Sequence, residues 1–107
     1  NADRLDYRPG AQKMSRRAAK VDANQTAIVQ ALRAAGCSVQ SIASVGKGAP
    51  DLLVGYGGQN YLLEIKDPAQ PPSARKLTDF EAAWHLSWKG SVRVVHTADE
   101  AIAYVKM

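Results

Sequence analysis

Cysteine is almost missing from this 107-residue chain. Cys37 stands alone, which excludes an intramolecular disulfide and a zinc site built from cysteines. A single thiol fits a reducing compartment, so a cytoplasmic setting is expected, and Cys37 itself reads as a small buried residue following a helix. Long apolar runs are missing too: residues 42–45 and 52–54 fall far short of the roughly 20 residues that span a bilayer, so no membrane partner is expected. Residues 1–20 contain no apolar segment resembling a secretory signal. There is no internal repeat, no low-complexity tract, no heptad pattern, no Ser-His-Asp arrangement and no nucleotide-binding glycine signature. The two histidines, His85 and His96, lack a partner at metal-ligand spacing. Both read as structural or exposed, with His85 a distant candidate for substrate contact.

Acidic charge is scarce at one end only. Residues 1–20 carry six basic groups (Arg4, Arg8, Lys13, Arg16, Arg17 and Lys20) against Asp3 and Asp6, which accounts for the whole net charge of +4. The remaining eight basic and eight acidic groups cancel. A basic arm of this kind is a solvated tail or a phosphate-contacting strip, and the pattern further along the chain favours nucleic acid. Residues 1–20 are therefore read as an arm and residues 21–107 as one domain, because a chain of this length holds one core.

From residue 21 the periodicity becomes helical. Ile28, Val29 and Leu32 recur at helix spacing, Asp22 or Asn24 can cap the start, and Gly36 closes the end. Residues 37–45 alternate as a strand until Gly46, Lys47 and Gly48 break them. Two apolar runs follow, 51–56 and 60–66, separated by Gly57 and Gly58 as a two-residue hairpin turn. Pro68, Pro71 and Pro72 predict a stiff loop over 67–75. Thr78 and Glu81 form a capping-box pattern for a helix reaching Lys89, with Gly90 as its stop. Residues 92–95 form a last strand, and Thr97 or Asp99 opens a terminal helix whose apolar side holds Ile102, Ala103 and Val105. The order αβββαβ plus a C-terminal helix gives an α/β fold, a mixed sheet flanked by helices on both faces because its strands are apolar on both sides.

Charges inside those strands call for an explanation. With Gly57 and Gly58 as the loop, paired residue numbers sum to 115, so Asp51 falls opposite Glu64 with Cβ atoms roughly 4.5–5.5 Å apart. Lys66 shares their face by the two-residue period. Leu53 and Leu62 share it as well, deeper in, and are expected to pack under the first helix; Leu52, Val54, Leu63 and Ile65 point the other way. Two ionised carboxylates about 5 Å apart repel by roughly 3 kcal/mol at an effective dielectric of 20. Lys66 offsets one charge. A hard divalent cation, which takes oxygen ligands from one or two carboxylates and keeps waters or phosphate oxygens, offsets both.

Pro50-Asp51, thirteen residues, then Glu64-Ile65-Lys66 resembles the signature of the PD-(D/E)XK nuclease superfamily. "DANQ", "GKGAPDLLVG", "LLEIKD" and "VRVVHTADEAI" are most similar to the small stand-alone VRR-NUC nucleases, and the arrangement is also similar to Holliday-junction resolvases. The resemblance covers about residues 21–105 and implies a restriction-endonuclease-like core. It implies that Asp51, Glu64 and the Ile65 backbone carbonyl hold Mg²⁺ or Mn²⁺, and that Lys66 positions or activates the attacking water. It further implies DNA cleavage leaving 5′-phosphate and 3′-hydroxyl ends, a preference for branched DNA, a homodimer, and a bacterial or phage source. Gln25 stands where the family's first helix usually carries an acidic residue, and can orient a water without adding charge. Glu81 stands where related sequences often have glutamine, and serves the site or the helix cap.

Weaker candidates surround these. Lys47, between two glycines, is a DNA contact or an exposed loop lysine. Arg75 and Lys76 grip the backbone of DNA or are simply solvated. On the basic arm, Arg16, Arg17 and Lys20 are the expected phosphate contacts. Trp84 and Trp88 share one helical face, as a core or interface stripe or as a platform for unpaired bases. Two other classes stay open beside the nuclease: a non-catalytic nucleic-acid-binding module, and an assembly protein retaining the fold.

Overall fold

Alternation within one hairpin sets the layering of this domain. The structure, a computed structural model, describes residues 23–107. Asp22, Arg16, Arg17, Lys20 and the rest of the basic arm lie outside the described residues. The elements run α1 (Ala23–Ala34), β1 (Ser38–Ser41), a 3₁₀ turn (Ala43–Val45), β2 (Leu52–Tyr56), β3 (Gln59–Ile65), the single turn α2 (Pro72–Arg75), α3 (Asp79–Ser87), β4 (Val92–Val95) and α4 (Ala98–Val105). They build a mixed α/β domain around a four-stranded sheet of order β1-β2-β3-β4. The first two pairings are antiparallel, while β3 and β4 are parallel. That parallel pair requires the long crossover that carries α3.

The hairpin has the expected register, Leu52↔Leu63 through Tyr56↔Gln59. Gly57 and Gly58 supply φ of +58° and +80°, the conformation that a two-residue turn matching strand twist demands. Leu52, Val54, Leu63 and Ile65 are buried on one face against Ile28 and Leu32 of α1, Val95 of β4, and Ala101 and Val105 of α4. Each such side chain contributes about 1.5–3 kcal/mol when fully buried. The other face carries Leu53 and Leu62. They do not pack under α1 as expected; they line a groove with Trp84 of α3 and Trp88 just beyond it. Period two in the strand permits one face only for α1, and the larger apolar set won it.

The local boundaries differ from the expectation in instructive places. Gly36, at φ +96°, closes α1 with paired bonds from Gly36 N to Arg33 O and from Cys37 N to Leu32 O, both 3.0 Å, the Schellman arrangement. Asn24 is not the cap; its Nδ2 donates to His96 O at 3.1 Å and ties the start of α1 to the end of β4. The expected strand over 37–45 stops at Ser41 and turns into the 3₁₀ segment. Continuing it would set Ala43 opposite Pro50, which has no N–H to donate. Within the expected proline loop, Pro72 starts one helical turn, the position its fixed φ suits.

The last two helices follow the same logic. α3 begins with the full Thr78–Glu81 capping box but ends at Ser87, because Trp88 adopts extended angles (φ −73°, ψ 129°). Gly90 is thus not the helix stop; it makes room for an indole, since a Cβ there would lie 2.9 Å from Trp88 Nε1. In α4, Thr97 is the cap, accepting from Glu100 N. Ala101 and Val105 face the core, whereas Ala103 is exposed. No helix among the described residues is long and apolar enough to cross a membrane.

Candidate active site

Three strand-borne charges meet where β2 begins and β3 ends. Asp51 lies one residue before β2, and its backbone is held from both sides. Its carbonyl accepts from Ile42 N at 2.9 Å, and its N–H donates to Leu63 O at 3.0 Å. Regular pairing therefore ends at Leu52↔Leu63. Beyond it the Asp51 carboxylate replaces a main-chain acceptor, Oδ2 taking the Ile65 N–H at 2.7 Å. Pro50, fully buried, fixes the approach to this position.

Among the described residues Glu64 is the one charged side chain that is buried, only 3% exposed. Burial, then the negative charges of Asp51 and Glu81, push its carboxyl up to about 9. Asp51 is raised as well, by burial first, although the Ile65 N–H opposes the shift. Lys66 Nζ stands 3.7 Å from Glu64 Oε2 and 2.8 Å from Glu81 Oε1. Burial alone would lower the Lys66 ammonium; the bond from Glu81 and the three surrounding carboxylates outweigh it and raise the pKa. Lys66 is accordingly a held cation in this arrangement.

Glu81 closes the helix cap and also reaches Lys66. One oxygen, Oε1, accepts from Thr78 N at 2.9 Å to close the capping box and from Lys66 Nζ at 2.8 Å. One helical turn further along α3, His85 points its Nε2 at Glu64 Oε1 across 4.0 Å. Both of those atoms are buried without a hydrogen-bond partner, and burial lowers the imidazole's pKa. His85 thereby joins the cluster around Glu64. Its i, i+4 spacing from Glu81 was the available signal.

The remaining candidates fall around this centre at different depths. Gln25 sits half-buried in the first turn of α1, the turn that Asn24 ties to His96. That is the end of the sheet at which Lys66 N donates to Val95 O. Lys47 is exposed, with φ +58° between Gly46 and Gly48 at +73° and +89°. Its loop is pressed onto α3: a Cβ on Gly48 would lie 2.3 Å from Phe80 O. Part of the expected anion nest is spent internally, since Gly46 N donates to Ala43 O and Ala49 N to Gly46 O. Arg75 is half-buried with its Nε lacking a partner, and Lys76 is exposed as the cap of α2. Trp84 and Trp88 belong to neither the core nor the charged cluster. They stack on each other, centroids 4.5 Å apart and planes 16° from parallel, in a groove of about 610 Å³.

The donor set suits a hard cation with few protein ligands. Among the described residues no group of three His, Cys, Asp or Glu side chains is placed to hold a metal ion. Two carboxylates, from Asp51 and Glu64, are what this strand end offers, a sparse oxygen set of the kind Mg²⁺ accepts. Charge balance points the same way. Asp51, Glu64 and Glu81 face one ammonium, and without a further cation burial forces Glu64 to keep its proton; a dication would balance the excess. No protein-family model, no curated protein and no solved structure matches this chain.

Proposed function

We propose that this chain is a metal-dependent DNA endonuclease with a restriction-endonuclease-like core, related to the small VRR-NUC members of the PD-(D/E)XK superfamily. The observation that supports this reading is the pairing of half-buried Asp51 with buried Glu64 at the end of the hairpin, with a charged lysine alongside. Asp51, Glu64 and the Ile65 carbonyl would hold Mg²⁺ or Mn²⁺. When bound, that ion supplies Lewis-acid polarisation of a phosphoryl oxygen and lowers the pKa of water.

The chain's own groups do the positioning. Lys66, kept protonated by Glu81, orients the attacking water or a phosphate oxygen instead of removing a proton from it. Gln25 can accept or donate one hydrogen bond to that water. Lys47, Arg75 and Lys76, with Arg16, Arg17 and Lys20 of the arm, offset phosphate charge along the strand. Hydrolysis leaves a 5′-phosphate and a 3′-hydroxyl, on branched DNA, from a homodimer.

A second reading is favoured by one distance. Lys66 lies closer to Glu81 than to Glu64, and an ammonium engaged by that carboxylate is less free to position an attacking water, which leaves a module that binds nucleic acid without cutting it. Junction, flap, nicked and linear DNA incubated with Mg²⁺ or Mn²⁺ separate the two. The endonuclease reading expects cutting that falls on the order of 10³-fold in Asp51→Asn and Lys66→Ala, with DNA binding retained. Binding without cutting under either metal supports the module instead.

A further inference from the structure

The groove has no role in phosphodiester hydrolysis, yet it neighbours the carboxylates along the same face of the hairpin. Leu62 lies two residues before Glu64 on the same face of β3, roughly 6.8 Å along the strand. Leu53 stands in the same relation to Asp51. On the far wall, Trp84 adjoins His85 in α3, so one helix lines the groove and closes the charged site. The volume of about 610 Å³ lies within the range of sites that take small planar ligands, about 300–1,000 Å³.

Its chemistry is that of a stacking platform. Trp88 is 46% exposed, yet its indole is held: it stacks on Trp84, and its Nε1 edge comes so near Gly90 that a Cβ there would lie 2.9 Å away. A rigid exposed aromatic ring loses little freedom when something stacks on it. Leu53 and Leu62 give an apolar floor, and Asn60 and Ser91 are the polar side chains within the lining, able to meet the edge of a base. Among the described residues no acidic side chain lines the groove. Exposed lysines flank it in sequence, Lys47 beside the Val45 and Ala49 wall and Lys89 between Trp88 and Gly90. Apolar aromatic surface edged by lysines is how single-stranded nucleic acid is held.

We propose that this groove receives an unpaired nucleobase of the DNA, stacked on Trp88, next to the phosphate held at Asp51 and Glu64. The inference rests on the endonuclease reading and narrows it: substrates offer at least one unstacked nucleotide beside the cut, as branch points, flaps and mismatches do, and fully paired linear duplex is a poor substrate.

The test uses the full chain in an Asp51→Asn background and a fluorescein-labelled flap duplex in which each nucleotide near the branch is replaced in turn by an abasic residue. At one position the abasic residue weakens binding about tenfold. That sensitivity disappears with Trp88→Ala and survives with Trp88→Phe, and tryptophan emission is quenched on binding only when the base is present. Uniform sensitivity at all positions, with DNA still bound, overturns the groove assignment and leaves the endonuclease reading intact. Failure of the wild type to bind or cut any of the DNAs overturns both. Self-association without DNA that shields Trp88 also overturns the assignment, by giving the groove to a second copy of the chain.

Discussion

The two faces of one hairpin are made from alternate residues of the same two strands, and they have opposite characters. Leu52, Val54, Leu63 and Ile65 are packed dry between α1 and α4. On the reverse side, Asp51, Glu64 and Lys66 sit under an α3 that has no fully buried residue and leaves an open groove over Leu53 and Leu62. Proximity to the centre of the sheet is the same for both. What differs is whether the neighbouring helix brings leucine and isoleucine or Glu81, His85 and two indoles. A small domain can thus keep a charged centre because the opposite side of the same strands supplies the stabilisation that the centre consumes.

The sharpest way to break that comparison is to truncate neighbouring leucines on opposite faces. Leu63→Ala should lower unfolding free energy by about 2–5 kcal/mol, as a fully buried leucine does when it leaves a cavity. Leu62→Ala, facing the open groove, should cost roughly 1 kcal/mol. Urea denaturation of both variants measures the difference, and equal losses would mean that the groove side is as tightly packed as the core.

A smaller effect separates the faces by pH. Glu64 has its folded pKa raised from 4.5 to about 9, so its contribution to stability is complete below pH 4.5 and is lost as pH rises toward 9. Metal-free protein should weaken progressively as pH rises across that window. Glu64→Gln should remove the slope, and Mg²⁺ should reduce it in the wild type. Denaturant midpoints measured from pH 4.5 to 9 in a chelator, then with Mg²⁺, provide the check; a wild-type profile as flat as the variant's would show that Glu64 is not desolvated.

The smallest expected change comes from Glu81→Gln. Glutamine keeps an oxygen for Thr78 N and for Lys66, so the capping box survives, while the loss of charge relieves Glu64. Stability should shift by less than about 1 kcal/mol, with the pH slope shallower than in the wild type. A large loss of helix signal by circular dichroism would show that the charge itself, beyond the hydrogen bonds, secures α3.

Local chemistry made much of this legible in the sequence. Two glycines fix the hairpin register, the Thr78–Glu81 pattern marks the start of α3, and Gly36 ends α1. Each signal operates within a few residues. What escaped is long-range. Whether Leu62 looks toward α1 or α3 depends on which helix covers which face, and alternation alone is blind to that choice. His85 reaches Glu64 because the crossover lays α3 over the end of β3, across 21 positions of chain. The early end of β1 depended on Pro50, which only strand pairing brings opposite Ala43. Even the Asp51–Glu64 meeting was correct in partners and different in detail, since Asp51 gives its N–H to Leu63 O and its carboxylate to Ile65 N.

Gly48 lies hard against the peptide of Phe80, three residues ahead of Asp51. Only a hydrogen atom separates the two backbones there, so the approach to Asp51 and the first turn of α3 behave as one strut. Any side chain at Gly48 would therefore have to push that first turn of α3 and the residues leading to Asp51 apart.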